Sequence, residues 1–134
     1  NHSLVAVDNT FLSPSLQNPL KLGADIVMHS TTKYINGHSD VIGGAVITND
    51  SEILSKLKFW ANNLGITGSP FDSYLALRGL RTLSLRMKQH EQNASALVEL
   101  LSNHPKVSHV YYPGLKRHPL MRSQKNNKVV LAEC

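Results

Sequence analysis

One cysteine in 134 residues, Cys134, leaves no disulfide framework within a single chain, and such usage sets the expectation of a reducing, cytoplasmic compartment. No apolar run approaches the ~20 residues that cross a bilayer as a helix, so no membrane role is expected. Asn1-His2-Ser3 shows no basic start followed by a long apolar stretch, and no secretion signal is expected. The Asn-x-Ser tripeptides at Asn1, Asn49 and Asn93 then count as chance matches to the glycosylation pattern. Internal repeats and low-complexity tracts are absent. So is a Walker loop, because Gly43-Gly44 is followed by Ala45-Val46 rather than by Lys and Ser/Thr.

Apolar residues are not scarce. They make up 41% of the chain, enough for a core and too many for a disordered segment. The formal net charge is +5, with Lys116, Arg117, Arg122, Lys125 and Lys128 close together. A solvated basic surface is the commoner reading of such a cluster, and no nucleic-acid partner is expected.

The pattern along the chain is that of an α/β protein. "SLVAVDNT" reads as a buried strand whose C-terminal end carries Asp8. Pro14 and Pro19 break the next stretch into a turn and a short helix near residues 18–22. "DIVMHS" and "VIGGAVIT" read as a second and a third strand. Their continuous apolar character predicts a sheet covered on both faces. Ile53, Leu54, Leu57, Trp60 and Leu64 fall at helical spacing. Asn49 and Glu52 suit a capping box, and Gly65 and Gly68 suit a stop. Ser69-Pro70-x-Asp72 starts a further helix, expected to run to about Ser102 with Gly79 as a weak point and Ala94, Leu97, Val98 and Leu101 on one face. "KVSHVYY" is predicted as a fourth strand, closed by Pro113-Gly114. The chain opens on a core strand and stops on a charged stretch, so it is expected to be a fragment.

Ligands of α/β sheets collect at the carboxyl ends of the strands. Asp8 stands at one such end, and Ser30, Thr32 and Lys33 follow another. A lysine beside hydroxyls, with a carboxylate one strand away, can hold pyridoxal phosphate. The amine forms a Schiff base, the hydroxyls bind phosphate, and the carboxylate keeps the ring nitrogen protonated. Taken singly, each group has a plainer use. Lys33 suits a solvated or ion-paired cation, Asp8 a turn or cap, and the hydroxyls of residues 30–32 the satisfaction of loop backbone. His29 and His38 have no second metal-like pair near them, and no metal site is expected.

The stretch "AVDNTFLSPSLQNPLKLGADIVMHSTTKYINGHSDVIGGAVI" resembles the cofactor-lysine signature of the Cys/Met-metabolism pyridoxal-phosphate enzymes. The Ala-Val-Asp-Asn-Thr block, the Ser-x-Thr-Lys-Tyr block and the Asn-Gly-His-Ser-Asp that follows carry the likeness. "WANNLGITGSPFDSYLALRGLRTL" extends it and looks most like the bacterial cystathionine γ-synthase subfamily. The likeness covers roughly residues 3–115.

The resemblance implies the aspartate-aminotransferase-like fold type I. Residues 1–90 would be part of the large cofactor domain, and 91–134 the beginning of the small C-terminal domain. It implies Lys33 as the Schiff-base lysine, Asp8 on the pyridine nitrogen, Ser30 and Thr32 on the phosphate, and Asn9 and Thr10 close to the ring. Tyr34, Asn36, Gly37, His38, Ser39 and Asp40 would support the lysine, and Arg78 and Arg81 would be structural or interfacial. The implied reaction is γ-replacement of O-succinylhomoserine by cysteine, in a homotetramer. Sister lyase or sulfhydrylase activities share the cofactor site. A truncated, non-catalytic remnant is the reading from another class. The ring-stacking tyrosine and the carboxylate-binding arginine of the family have no counterpart in these 134 residues.

Overall fold

Three short strands form one mixed sheet in the order β1-β2-β3. β1 (Ala6–Asp8) runs parallel to β2 (Ile26–Ser30), with Ala6 opposite Ile26 and Asp8 opposite Met28. β3 (Gly44–Ile47) lies antiparallel on the other side of β2, from Val27 opposite Ile47 to Ser30 opposite Gly44. A parallel pair needs a crossover. It is built from α1 (Ser13–Leu16) and a 3₁₀ turn, Pro19–Leu22, closed by Gly23 at φ 97°. The computed structural model describes residues 3–115. The chain divides into two units, Asn1–Leu83 and Ser84–Cys134.

Successive strand residues point to opposite faces. Asp8, Met28, Ser30 and Val46 therefore share one face, and Val7, Val27, His29, Ala45 and Ile47 the other. Val27 and His29 are buried, whereas Met28 and Val46 are 44% and 49% exposed. The expectation of a sheet covered on both faces is thus corrected. Among the described residues no layer covers the Asp8 face, although its residues are as apolar as a buried strand requires.

Helix signals are local, and most are met. α2 (Ser51–Leu64) is capped by Asp50, whose Oδ1 accepts the Glu52 and Ile53 N–H groups at 2.8 and 2.9 Å. The cap expected at Asn49 moves by one residue, to the position with extended backbone and a charged acceptor. α2 ends at Gly65 with φ 67°. It half-buries Ile53, Leu57 and Ala61. α3 (Pro70–Leu80) starts as expected, with Ser69 Oγ accepting the Asp72 N–H at 3.1 Å.

The single helix expected beyond Ser69 is two helices. A turn at Arg81–Thr82 separates α3 from α4 (Leu83–Ser102). The core of the first unit comprises Val27, Tyr34, Ile35, Val41, Leu75 and Leu83.

In the second unit, Met87 is buried, while Leu97 and Leu101 are exposed. The strand expected at Lys106–Tyr112 does not form. Residues 103–115 make turns, such as Val107 N–H to His104 O at 3.0 Å. A strand needs a neighbour to take its backbone groups, and no described residue offers one. The basic cluster from Lys116 onward lies outside the described residues.

Candidate active site

The carboxyl ends of β1 and β2 are tied together by one side chain. The ladder between them ends with Asn9 N–H to Met28 O at 2.9 Å. The next acceptor on β1, Asn9 O, is taken by the Ser13 N–H. The Ser30 N–H instead donates to Thr10 Oγ1 at 2.8 Å. A hydroxyl that accepts there still has its own proton to give, and Thr10 gives it to Asp8 Oδ1 at 2.6 Å. The Thr10 N–H reaches the same oxygen at 3.0 Å. The Thr10 hydroxyl, followed by its N–H, holds the exposed Asp8 carboxyl below its ordinary value. Oδ1 is fixed by these two bonds, and Oδ2 has no partner among the described residues.

Lys33 follows β2 on a wide turn, Thr31–Ile35, in which Lys33 itself leaves helical geometry (φ −87°, ψ −118°). The turn closes with Asn36 N–H to Thr31 O at 3.0 Å and Gly37 N–H to Lys33 O at 2.8 Å. It is anchored to the start of β3. Thr31 N–H donates to Gly43 O at 2.9 Å, and Thr32 Oγ1 accepts the Gly43 N–H at 3.0 Å. Tyr34, Ile35 and Asn36 are buried, and Lys33 is exposed. The kink thus turns the amine outward while its neighbours enter the core.

Four predicted site residues lie at this end of the sheet. Asp8 and Ser30 share a face and are joined through Thr10, while Lys33 and Thr32 stand on the turn just beyond. The Ser30 hydroxyl has no partner among the described residues. The Thr32 hydroxyl donates to Gly43 O at 3.3 Å and accepts the Gly43 N–H at 3.0 Å. Sequence reasoning missed the linking role of Thr10. The Asp-x-Thr spacing carries a signal for it, since a residue two positions on can return both N–H and O–H to an aspartate.

The opposite face of the sheet is different in kind. A cavity of about 1020 Å³ is lined there by Val27, His29, Ala45 and Ile47, together with residues of the crossover and α3. None of Asp8, Ser30, Thr32 or Lys33 lines it. His29 is buried on that face, and desolvation holds it below the usual histidine range. His38 lies on the loop after Lys33, its Nδ1 2.7 Å from Asn36 O. Among the described residues no group of three or more His, Cys, Asp or Glu could hold a metal ion.

The family model of the Cys/Met metabolism PLP-dependent enzymes matches residues 1–131. The chain belongs to this family. Its Ala6–Ser30 strands and the lysine turn are thus those of a fold type I enzyme. The chain is 60% identical over 115 residues to the cystathionine γ-synthase of Mycobacterium tuberculosis, covering 86% of this chain and 30% of that protein. It is equally similar, 60% over 115 residues with the same coverage, to a cystathionine γ-lyase of Dictyostelium discoideum. The crystal structure of cystathionine γ-synthase from Xanthomonas oryzae in complex with aminoacrylate and cysteine superposes with a TM-score of 0.89 at 57% identity. It covers 97% of this chain and 34% of that one. The chain therefore spans about a third of the length of the proteins it matches.

The residues present suit the cofactor of this family. Asp8 stays anionic with one oxygen uncommitted, as a protonated ring nitrogen requires. An exposed primary amine and a free hydroxyl lie on the neighbouring strand end.

Proposed function

We propose that this chain carries the lysine-bearing part of a pyridoxal-phosphate-dependent cystathionine γ-synthase, which replaces the γ-ester group of O-succinylhomoserine with the sulfur of cysteine. The observation that carries the reading is the placement of Asp8, with one carboxylate oxygen uncommitted, and Lys33 beyond the ends of adjacent strands, in a chain of this family. In this reading residues 1–90 belong to the large cofactor domain and 91–134 begin the small one. The working protein is a cytoplasmic homotetramer with no nucleic-acid partner.

The cofactor, when bound, supplies an electron sink that eases loss of the proton from the substrate Cα. The chain's own groups do the rest. Lys33 would hold the cofactor through its amine, and the same amine, in its neutral form, would be the group that moves the Cα proton. Asp8, kept from turning away by Thr10, would hold the ring nitrogen protonated. Ser30 would hold the phosphate through its hydroxyl. Thr32, which accepts the Gly43 N–H and donates to Gly43 O, would have to give up the longer of these two bonds to turn its proton toward the same group.

Lys33→Ala should abolish the borohydride-trappable attachment of pyridoxal phosphate. Trapping at another lysine in the unmodified protein would overturn the assignment. A second reading, a γ-lyase, is favoured by the equal identity to the Dictyostelium protein. Cystathionine formation from O-succinylhomoserine and cysteine, against cleavage of cystathionine alone, separates the two.

A further inference from the structure

The turn that carries Lys33 rests on the last turn of α3. A Cβ built on Gly79 would overlap the carbonyl oxygens of Ile35 and Asn36, and would stand 2.9 Å from the Asn36 carbonyl carbon. All three are backbone atoms, so no rotamer change relieves the overlap. Gly79 is buried and is not among the glycines with positive φ. It lies inside α3, where glycine costs about 0.5–1 kcal/mol relative to alanine. Neither dihedral freedom nor helix stability accounts for it; close approach of two backbones does.

Polar contacts fix the same seat. The Asn36 side chain, wholly buried, donates to Asp40 Oδ1 at 2.7 Å. Asp40 Oδ2 faces Arg78, the residue before Gly79, at 3.7 Å. That ion pair is about half exposed and belongs to the class worth roughly 0–1 kcal/mol. It guides the contact; the missing Cβ permits it. Ile35 and Asn36 follow Lys33 by two and three residues, and Gly37 N–H closes on Lys33 O. Moving residues 35–36 away from α3 therefore moves the Lys33 backbone.

We propose that Gly79, with Arg78 beside it, is a positioning residue for Lys33: the end of α3 is the stop that sets where the amine stands over the Asp8 strand end. The proposal rests on Lys33 as the cofactor lysine. Clearing a Cβ at Gly79 requires a shift on the order of 1 Å, a scale at which misplacement can cost about 10²-fold in rate.

The test is made in the holoenzyme, with this segment carried in a full-length family polypeptide. Three readouts are followed: the rate of pyridoxal-phosphate attachment, the pH titration of its visible band, and borohydride trapping with peptide mapping. Gly79→Ala should slow attachment at Lys33 by about tenfold or more and displace the titration. Asp40→Asn should do the same by less. Asp50→Ala, which removes the cap of α2 and touches no residue of the seat, should lower the melting temperature and leave both readouts unchanged. A Gly79→Ala protein with unaltered attachment and titration overturns the proposal. So does an Asp50→Ala protein that shifts both as far. If Gly79→Ala does not fold, Asp40→Asn decides, and an unaltered titration there overturns it. Mapping of the cofactor to a lysine other than Lys33 in the unmodified protein refutes the underlying reading instead, and is told apart by the peptide found.

Discussion

Thr10 is a residue whose work is invisible in composition. Its hydroxyl accepts from one strand and donates to the carboxylate of the other, so its loss changes both partners at once. Thr10→Val should raise the Asp8 pKa from its lowered position toward the ordinary 3.8, while Thr10→Ser should restore most of the shift. The sign follows from linkage: a carboxyl with a depressed folded pKa contributes stability that is full above its unfolded value and is lost as pH falls through the folded one. The gap in melting temperature between the parent protein and Thr10→Val should therefore narrow on acidification below pH 3.8, down to the pH-independent part left by the lost acceptor of the Ser30 N–H. A gap of the same size at every pH would show that Asp8 contributes nothing to it. The placement of Asp8, Ser30, Thr32 and Lys33 at one end of the sheet was legible from their order along the chain, because strand ends are local patterns. Arg78 against Asp40 was not, since 38 residues separate partners that only the turn of α3 brings together.

Elements were legible where a cap or a stop is written in consecutive residues. Ser69-Pro70-x-Asp72 is such a case. Asn49-Asp50 is ambiguous by nature, since both side chains can cap and backbone geometry chooses. Removing the chosen one, Asp50→Ala, should cost about 1 kcal/mol in stability, measured by urea denaturation, whereas Asn49→Ala should cost little. Equal losses would show that the cap is shared. The break at Arg81–Thr82 had no glycine or proline to announce it. Gly79, which did look like a break, lies within helix because a neighbouring backbone needs its space. The expected strand at Lys106–Tyr112 failed for a different reason: apolar alternation predicts what a segment could pair with, and pairing requires a partner.

At the scale of the whole molecule, both outer edges of the sheet are free among the described residues, and its Asp8 face is open. Phe59, Trp60, Ile66, Phe71, Tyr74 and Leu77 add exposed apolar surface in the first unit. The 134 residues alone should associate in the micromolar range, seen as concentration-dependent sedimentation, and should not turn over O-succinylhomoserine. A monodisperse monomer with activity would contradict both expectations. The division of the sheet into a chemical face and a cavity face also fixes how this gene can change. Because side chains alternate along β2, deleting or inserting a single codon between Ile26 and Ser30 would exchange the two faces beyond that point, turning His29 toward Asp8 and Ser30 toward the cavity. Length variation in this lineage should therefore be excluded from β2 and admitted in the exposed Ile66–Gly68 connection, where an added residue reverses no alternation.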